Sequence, residues 1–299
     1  MESIHSLIQE FLDYLVIERN RSPKTRENYR RCLERFVSIT KISFSKDITE
    51  GTVRAFRIKM SERTPSLSKR TQAYYVIVIR SFLKYLAKRG IRTMAAEKID
   101  LPKLPERHIS IIEYNDLERL LDAPKGTDIR TFRDKAILET LFSTGLRISE
   151  LCALDRYTNL DRNEISIRGK GGVIRVIFFS ERAKTAIKNY LDKRVDMEEA
   201  MFISLSKGNK PKVIGRIIPR AIQRLVTHYA RAAGIPDHVT PHQLRHQFAT
   251  DLLMNGADLR SVQELLGHAN IATTQVYTHL TNKHLKEVHQ TFHRKKGGI

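Results

Sequence analysis

The chain has 299 residues, 41% hydrophobic and 29% charged, and its 53 Lys and Arg against 33 Asp and Glu leave a formal net charge of +20. Such a composition lacks the apolar deficit of a disordered chain, and no uninterrupted apolar stretch approaches the roughly 18 residues of a spanning helix. With no apolar h-region at the N-terminus either, a secreted or membrane-embedded protein is argued against and a cytoplasmic one expected. The excess of cations calls for a polyanion, and because it is spread through folded-looking sequence rather than a tail, nucleic acid is expected ahead of a membrane surface. The length exceeds one typical domain, so two are expected.

In chain order, the first hundred residues read as four amphipathic helices. Ser22-Pro23 is an N-cap followed by proline at the first helical position, starting a helix with Tyr29, Leu33 and Phe36 inward and Lys24, Arg30, Arg31 and Arg35 outward. From Thr71 to Arg89, Tyr75, Ile79, Phe82, Leu83 and Leu86 recur at helical spacing, and Gly90 ends the run. Ile91 to Ser110 loses the periodicity around Pro102 and Pro105 and is expected to be an exposed linker. The boundary falls near residue 106, giving an N-terminal helical domain over 1–106, linker included, and a second domain over 107–299. Each part carries a net +10, so both are expected to face the same anion.

Beyond the boundary come helical patterns at Asp116–Leu121 and Phe132–Ser143, then two β-rich runs, Glu164–Arg168 and Val173–Phe179. Between them Gly169-Lys170-Gly171-Gly172 is a hairpin signal. The remainder reads as mainly helical with stops at Gly234, Gly256 and Gly267. The expected fold class is therefore mainly α with a small antiparallel β-sheet. Cys32 and Cys152 sit in apolar-periodic segments, as reduced core thiols do.

The common sites of metal-dependent DNA chemistry leave readable traces, and the sequence holds no P-loop, no H-E-x-x-H and no C-x-x-C, with its carboxylates scattered singly. No cofactor and no metal are expected, and phosphodiester cleavage by this chain would be metal-free. Such chemistry needs cationic donors around the phosphate, a nucleophile, and an acid for the leaving oxygen. In Thr240-Pro-His-Gln-Leu-Arg-His a proline starts a helix and sets His242 and Arg245 three residues apart on one face. His246, next to Arg245, points elsewhere and reads as structural. Further on, Leu266-Gly-His-Ala-Asn leads to Tyr277. Gly267 closes one helix and Asn270 caps the next, which puts His268 in a turn and Tyr277 on a helix.

The H-x-x-R-H, the L-G-H and the downstream tyrosine resemble the tyrosine recombinase (phage integrase) family, especially its Xer type. Thr144-Gly-Leu-Arg-Ile-Ser-Glu-Leu is similar to that family's first arginine motif, and Arg168-Gly-Lys-Gly to its lysine hairpin. The catalytic set implied is Arg147, Lys170, His242, Arg245, His268 and Tyr277. After Gly171 the chain departs from the family's frequent Asn-Lys-Glu-Arg run, reading Gly172-Val173-Ile174-Arg175 instead. The N-terminal helices are similar to the family's SAM-like core-binding domain, so the resemblance implies a C-shaped clamp around duplex DNA.

On this resemblance Tyr277 is the nucleophile and leaves a 3′-phosphotyrosyl bond and a free 5′-hydroxyl. Arg147 and Arg245 present planar forks to the scissile phosphate, Lys170 protonates the leaving oxygen, and His242 and His268 hydrogen-bond the phosphate. Glu150, three residues after Arg147, either steadies that arginine or makes an ordinary helix pair. A C-terminal helix over Asn282–Phe292 docks on a neighbouring subunit. The partners implied are a specific duplex site, a homotetramer or a heterotetramer with a paralogue on two sites, and a septal DNA translocase. The implied task is resolution of chromosome dimers or plasmid multimers. A mobile-element integrase or excisionase is one alternative, disfavoured by the lack of an extra arm-binding domain, and a catalytically idle DNA-binding protein of the same fold is another, argued against by the six filled catalytic positions.

Overall fold

A computed structural model describes residues 2–62, 67–102, 112–162, 164–169, 172, 174–208, 211–236 and 239–267. The chain divides into two compact units, Met1–Arg107 and His108–Ile299.

In the first unit each helix begins on a hydroxyl. Helices α1 (Ile4–Ile17), α2 (Pro23–Thr40), α3 (Glu50–Ser61) and α4 (Lys69–Lys88) follow Ser3, Ser22, Thr49 and Ser68, whose oxygens accept the N–H of Ser6, Thr25, Thr52 and Thr71. Each cap satisfies an amide that has no partner inside its helix, which contributes about 1 kcal/mol. The apolar stripes close on one core containing Phe11, Leu33, Phe36, Phe56, Phe82 and Leu86. There Phe36 and Phe56 meet edge to face with ring centroids 5.1 Å apart.

Two expectations change here. The outer face of α2 is not wholly solvated: Arg35 is half-buried and its Nη1 donates to the Tyr75 hydroxyl at 3.2 Å. The linker expected from Ile91 onward is in its first part folded onto the unit. Ala96 and Ile99 are buried around a short 3₁₀ turn, Ala96–Lys98, and the Ser45 hydroxyl donates to the Arg92 carbonyl at 3.1 Å. Two isolated apolar residues in a polar stretch have no period by which to be noticed. Residues 103–111, with Pro105, lie outside the described residues.

The second unit is built around α6. Its elements are α5 (Tyr114–Leu121), α6 (Ile129–Thr144), α7 (Ile148–Ala153), β1 (Ile165–Arg168), β2 (Ile174–Ile177), α8 (Glu181–Asp192), β3 (Ile203–Leu205), β4 (Val213–Arg216), α9 (Pro219–Ala232), α10 (Pro241–Met254) and α11 (Leu259–Leu266). Helix α6 is buried on nearly every side, with Ala136, Ile137, Leu138, Thr140 and Leu141 all at 0% exposure. It packs against α8 and α10, as a helix at the centre of a bundle does. Strands β1 and β2 pair antiparallel, Ile165 opposite Ile177 and Arg168 opposite Ile174. A second antiparallel pair, β3 with β4, departs from the single small sheet expected and is irregular at Ser204/Leu205. Three-residue and four-residue strands are too short to show alternation above background. Cys32 and Cys152 are free and buried, and burial pushes both thiols up to about 11. Among the described residues no helix is long and apolar enough to cross a membrane.

Phe82, 1% exposed, tests the first core. Phe82→Ala is expected to destabilise the chain by about 3–5 kcal/mol, read as a lower urea midpoint, and an unchanged midpoint would contradict the packing described.

Candidate active site

The site forms where two helices end. Helix α6 stops at Gly145, in the left-handed region at φ 57°, its N–H donating to the Leu141 carbonyl. A side chain there would be strained by that φ and would collide with the Phe248 ring on α10, with Leu266 Cδ2 also 3.2 Å away, so glycine is required twice over. Helix α11, capped by Asp258 at its start, ends at Gly267, also left-handed at φ 61°. A Cβ on Gly267 would lie 2.9 Å from Arg175 Cδ.

Arg147 is the N-cap of α7. Glu150, one turn on, reaches back: its Oε2 accepts the Arg147 backbone N–H at 2.7 Å and its Oε1 accepts Arg147 Nη1 at 2.9 Å. The return of an N3 glutamate to the N-cap amide is half of a capping box. Arg147 Nη2 donates to the Gly267 carbonyl at 3.0 Å. Of the two readings open for Glu150, the structure therefore has it steadying Arg147 through both backbone and side chain.

Arg245 sits on α10, whose start is held by Thr240 and Gln243 in a reciprocal capping box with Pro241 in the first turn. Its Nη1 donates to the Gly145 carbonyl and its Nη2 to the Leu266 carbonyl, both at 2.5 Å. Two guanidinium groups thus take adjacent carbonyls, Leu266 and Gly267, at the carboxyl end of α11. Carbonyls at a helix end lack intrahelical partners and carry the negative end of the helix dipole, so cations are favoured there.

Arg147, His242 and Arg245 line one cavity of about 650 Å³. Residues separated by about a hundred positions are thereby brought to one place, with two planar cationic forks and an imidazole suited to an oxyanion. Lys170, His268 and Tyr277 lie outside the described residues, as do Asn270 and the segment Asn282–Phe292. What is described beside them are Gly169 and Gly172, joined by a turn hydrogen bond of 3.2 Å, and Gly267, which precedes His268.

Three features escaped the sequence reading. His246 does not point away from the site's histidine: its Nε2 lies 3.0 Å from His242 Nε2. The four-residue spacing of the pair was the available signal. Arg224, His228 and Arg231 of α9 line the same cavity, opposite the buried Ile222, Leu225 and Val226, a basic face legible from helical period alone. The third is Arg175. It is buried on β2 and forms a two-point pair with Glu150, Nη1 to Oε1 at 2.8 Å and Nη2 to Oε2 at 2.7 Å. Period-two alternation puts Arg175 on the inward face with Ile177, and an inward charge implies a partner.

Burial by itself would raise the Glu150 pKa, but hydrogen bonds from Arg175 and from the Arg147 backbone and side chain outweigh it and lower the value from 4.5 to about 2. A carboxyl depressed in the folded state adds stability that is full above its ordinary pKa and disappears as the pH falls through the depressed one. Stability measured by urea at pH 7 and at pH 3 is therefore expected to fall less steeply in Glu150→Gln than in wild type. At pH 7 the variant is expected to be weaker by about 3–5 kcal/mol, because Arg175 is left buried without its anion. Equal acid slopes would contradict the pairing.

Comparison with known proteins accounts for this geometry. Residues 110–284 match the model of the phage integrase family, and residues 8–90 match that of the phage integrase N-terminal SAM-like domain. The tyrosine recombinase XerC of Salmonella typhi is 37% identical over 294 residues, covering 96% of this chain and 95% of the relative. The crystal structure of XerA recombinase is similar with a TM-score of 0.53 at 30% identity, covering 98% of this chain and 99% of that one. A lambda integrase tetramer bound to a Holliday junction is similar in fold, with a TM-score of 0.68 at 18% identity over 90% of this chain and 78% of that one. A family model matched over more than half of the chain and relatives of one kind matched over nearly its whole length place the chain in the phage integrase family as a site-specific tyrosine recombinase of the Xer type.

Proposed function

We propose that the cavity holding Arg147, His242 and Arg245 is the scissile-phosphate site, and that the chain acts there on duplex DNA with Tyr277 as nucleophile. The observation that carries this reading is the anchoring of both guanidiniums on helix-end carbonyls beside one cavity. Held in that way, the two forks are set before substrate arrives, so charge developing on the non-bridging oxygens meets fixed donors rather than reorganising solvent.

In this reading Tyr277 attacks phosphorus, the bond to the 5′ oxygen breaks, and Lys170 protonates the departing oxygen. The ester energy is kept in the 3′-phosphotyrosyl bond, and attack by a 5′-hydroxyl reverses the step. His242 and His268 hydrogen-bond the phosphate. The 1–106 domain and the 107–299 domain, each with a net charge of +10, grip the same duplex, mainly through phosphates, with affinity that weakens steeply with salt. The DNA-bound tetramer of lambda integrase supports four protomers on two sites, either identical or paired with a paralogue. The likeness to a tyrosine recombinase supports the chemistry, and resolution of chromosome dimers or plasmid multimers in the cytoplasm, under a septal translocase, completes the reading as its task.

The test is a denaturing gel of protein linked to the 3′ end of nicked suicide DNA bearing a candidate site. Wild type is expected to give an adduct and Tyr277→Phe none; an adduct surviving in the variant moves the nucleophile elsewhere. Arg245→Lys is expected to slow adduct formation by roughly 10²–10³-fold, the loss typical of removing one preorganised donor, with binding of the same DNA largely kept. A wild-type rate in Arg245→Lys would remove Arg245 from the phosphate site.

A further inference from the structure

Glu150 is a shared anion. Its carboxylate accepts four N–H groups: the Arg147 backbone, Arg147 Nη1, and both Nη groups of Arg175. The sharing is unequal. Arg175 spans both oxygens, whereas the Arg147 side chain reaches only Oε1, and its second Nη goes to the Gly267 carbonyl. Burial is unequal as well, the side chains of Arg175 and Glu150 being 4% and 6% exposed and that of Arg147 31%.

A guanidinium and a carboxylate left alone together adopt the two-point, fork-to-fork geometry, because it is the strongest pairing open to them. Here Arg175 holds that geometry with Glu150, and Arg147 is left with one-point contact. Two cations on one anion leave one positive charge over, and the more exposed partner, facing the cavity, is where it lies. The Arg175 stem also packs where a Cβ on Gly267 would be, so the same side chain abuts the carbonyl-bearing residue that receives Arg147 Nη2.

From this geometry we propose that Arg175 is a positioning residue: by occupying both oxygens of Glu150 it prevents that carboxylate from capturing Arg147, and so keeps the Arg147 fork turned toward the scissile phosphate. The proposal rests on the reading of Arg147 as a phosphate ligand. It gives a buried strand cation that does not line the cavity control over how much positive charge the site presents.

The experiment compares wild type, Arg175→Lys and Arg147→Ala in single-turnover cleavage of nicked suicide DNA at saturating protein, with DNA affinity and thermal midpoint measured in parallel. Lysine keeps the charge opposite Glu150 and loses the fork. Arg175→Lys is expected to fold, to bind DNA within about threefold of wild type, and to cleave at least about thirtyfold more slowly. A substrate with sulfur at the bridging 5′ position, whose leaving group needs no protonation, separates causes. The deficit of Arg175→Lys is expected to persist on it, as is that of Arg147→Ala. A wild-type rate in Arg175→Lys overturns the proposal, and so does a deficit relieved by sulfur, which would assign the loss to leaving-group protonation from the neighbouring hairpin. If Arg147→Ala itself cleaves at the wild-type rate, the phosphate-site reading fails first. Should Arg175→Lys not fold, Glu150→Gln/Arg175→Met removes both buried charges together; with no carboxylate left to capture Arg147 it is expected to cleave close to the wild-type rate, and a deficit as large as that of Arg147→Ala overturns the proposal.

Discussion

The constraint on which the second unit turns is the burial of one carboxylate between two guanidiniums. Taking Glu150 out of water is unfavourable by several kcal/mol unless its lone pairs are satisfied, and it is satisfied by four N–H groups from two arginines. Such a cluster is weak as a source of net stability. It is strong as a source of geometry, because a slip in any member strands a buried charge. Through it the N-cap of α7 is tied to strand β2, and through Arg147 both are tied to the end of α11.

Each arginine is held in part by groups that orient a cation without cancelling it. Arg245 is on the carbonyls of Gly145 and Leu266, and Arg147 is partly on that of Gly267. A carboxylate in those places would neutralise the cation; a carbonyl at a helix end offers only a partial negative charge. Both glycines are needed for this arrangement, since each ends a helix in the left-handed region and each faces a side chain, Phe248 or Arg175, that leaves no space for a Cβ. The chain that runs on to His268 and Tyr277 therefore departs from the residue that the first arginine holds.

His242 and Arg245 were legible as a pair because short-range rules act on them, whereas Arg147 joined them only through the resemblance of its motif to the family's first arginine motif. A proline start, a helical spacing of three, and a glycine stop are all statements about neighbours in sequence. The capping of α2 by Ser22 and the run Tyr75 to Leu86 in α4 were legible for the same reason. Arg175 was given no role and Ala96 was placed in an exposed linker, because burial of a single residue in a short or aperiodic segment is decided by what lies across from it. His246 and the basic face of α9 were within reach, since the spacings of three and four along the helices were in view, but a lone polar face is ordinarily just solvated.

Sequence by itself determined the two-part, mainly helical organisation, the sign and spread of the charge, and the residue types at the site with their local spacing. These follow from backbone propensity, hydrophobic period and capping, which act over a few residues. Tertiary structure alone decided which distant groups meet: that Arg147 and Arg245 share the end of α11, that Glu150 is divided between two arginines, and that Arg175 points inward. Those outcomes depend on packing between residues 21 to 120 positions apart, where desolvation of a charge and the space beside a glycine are set by the fold and not by the chain's neighbours.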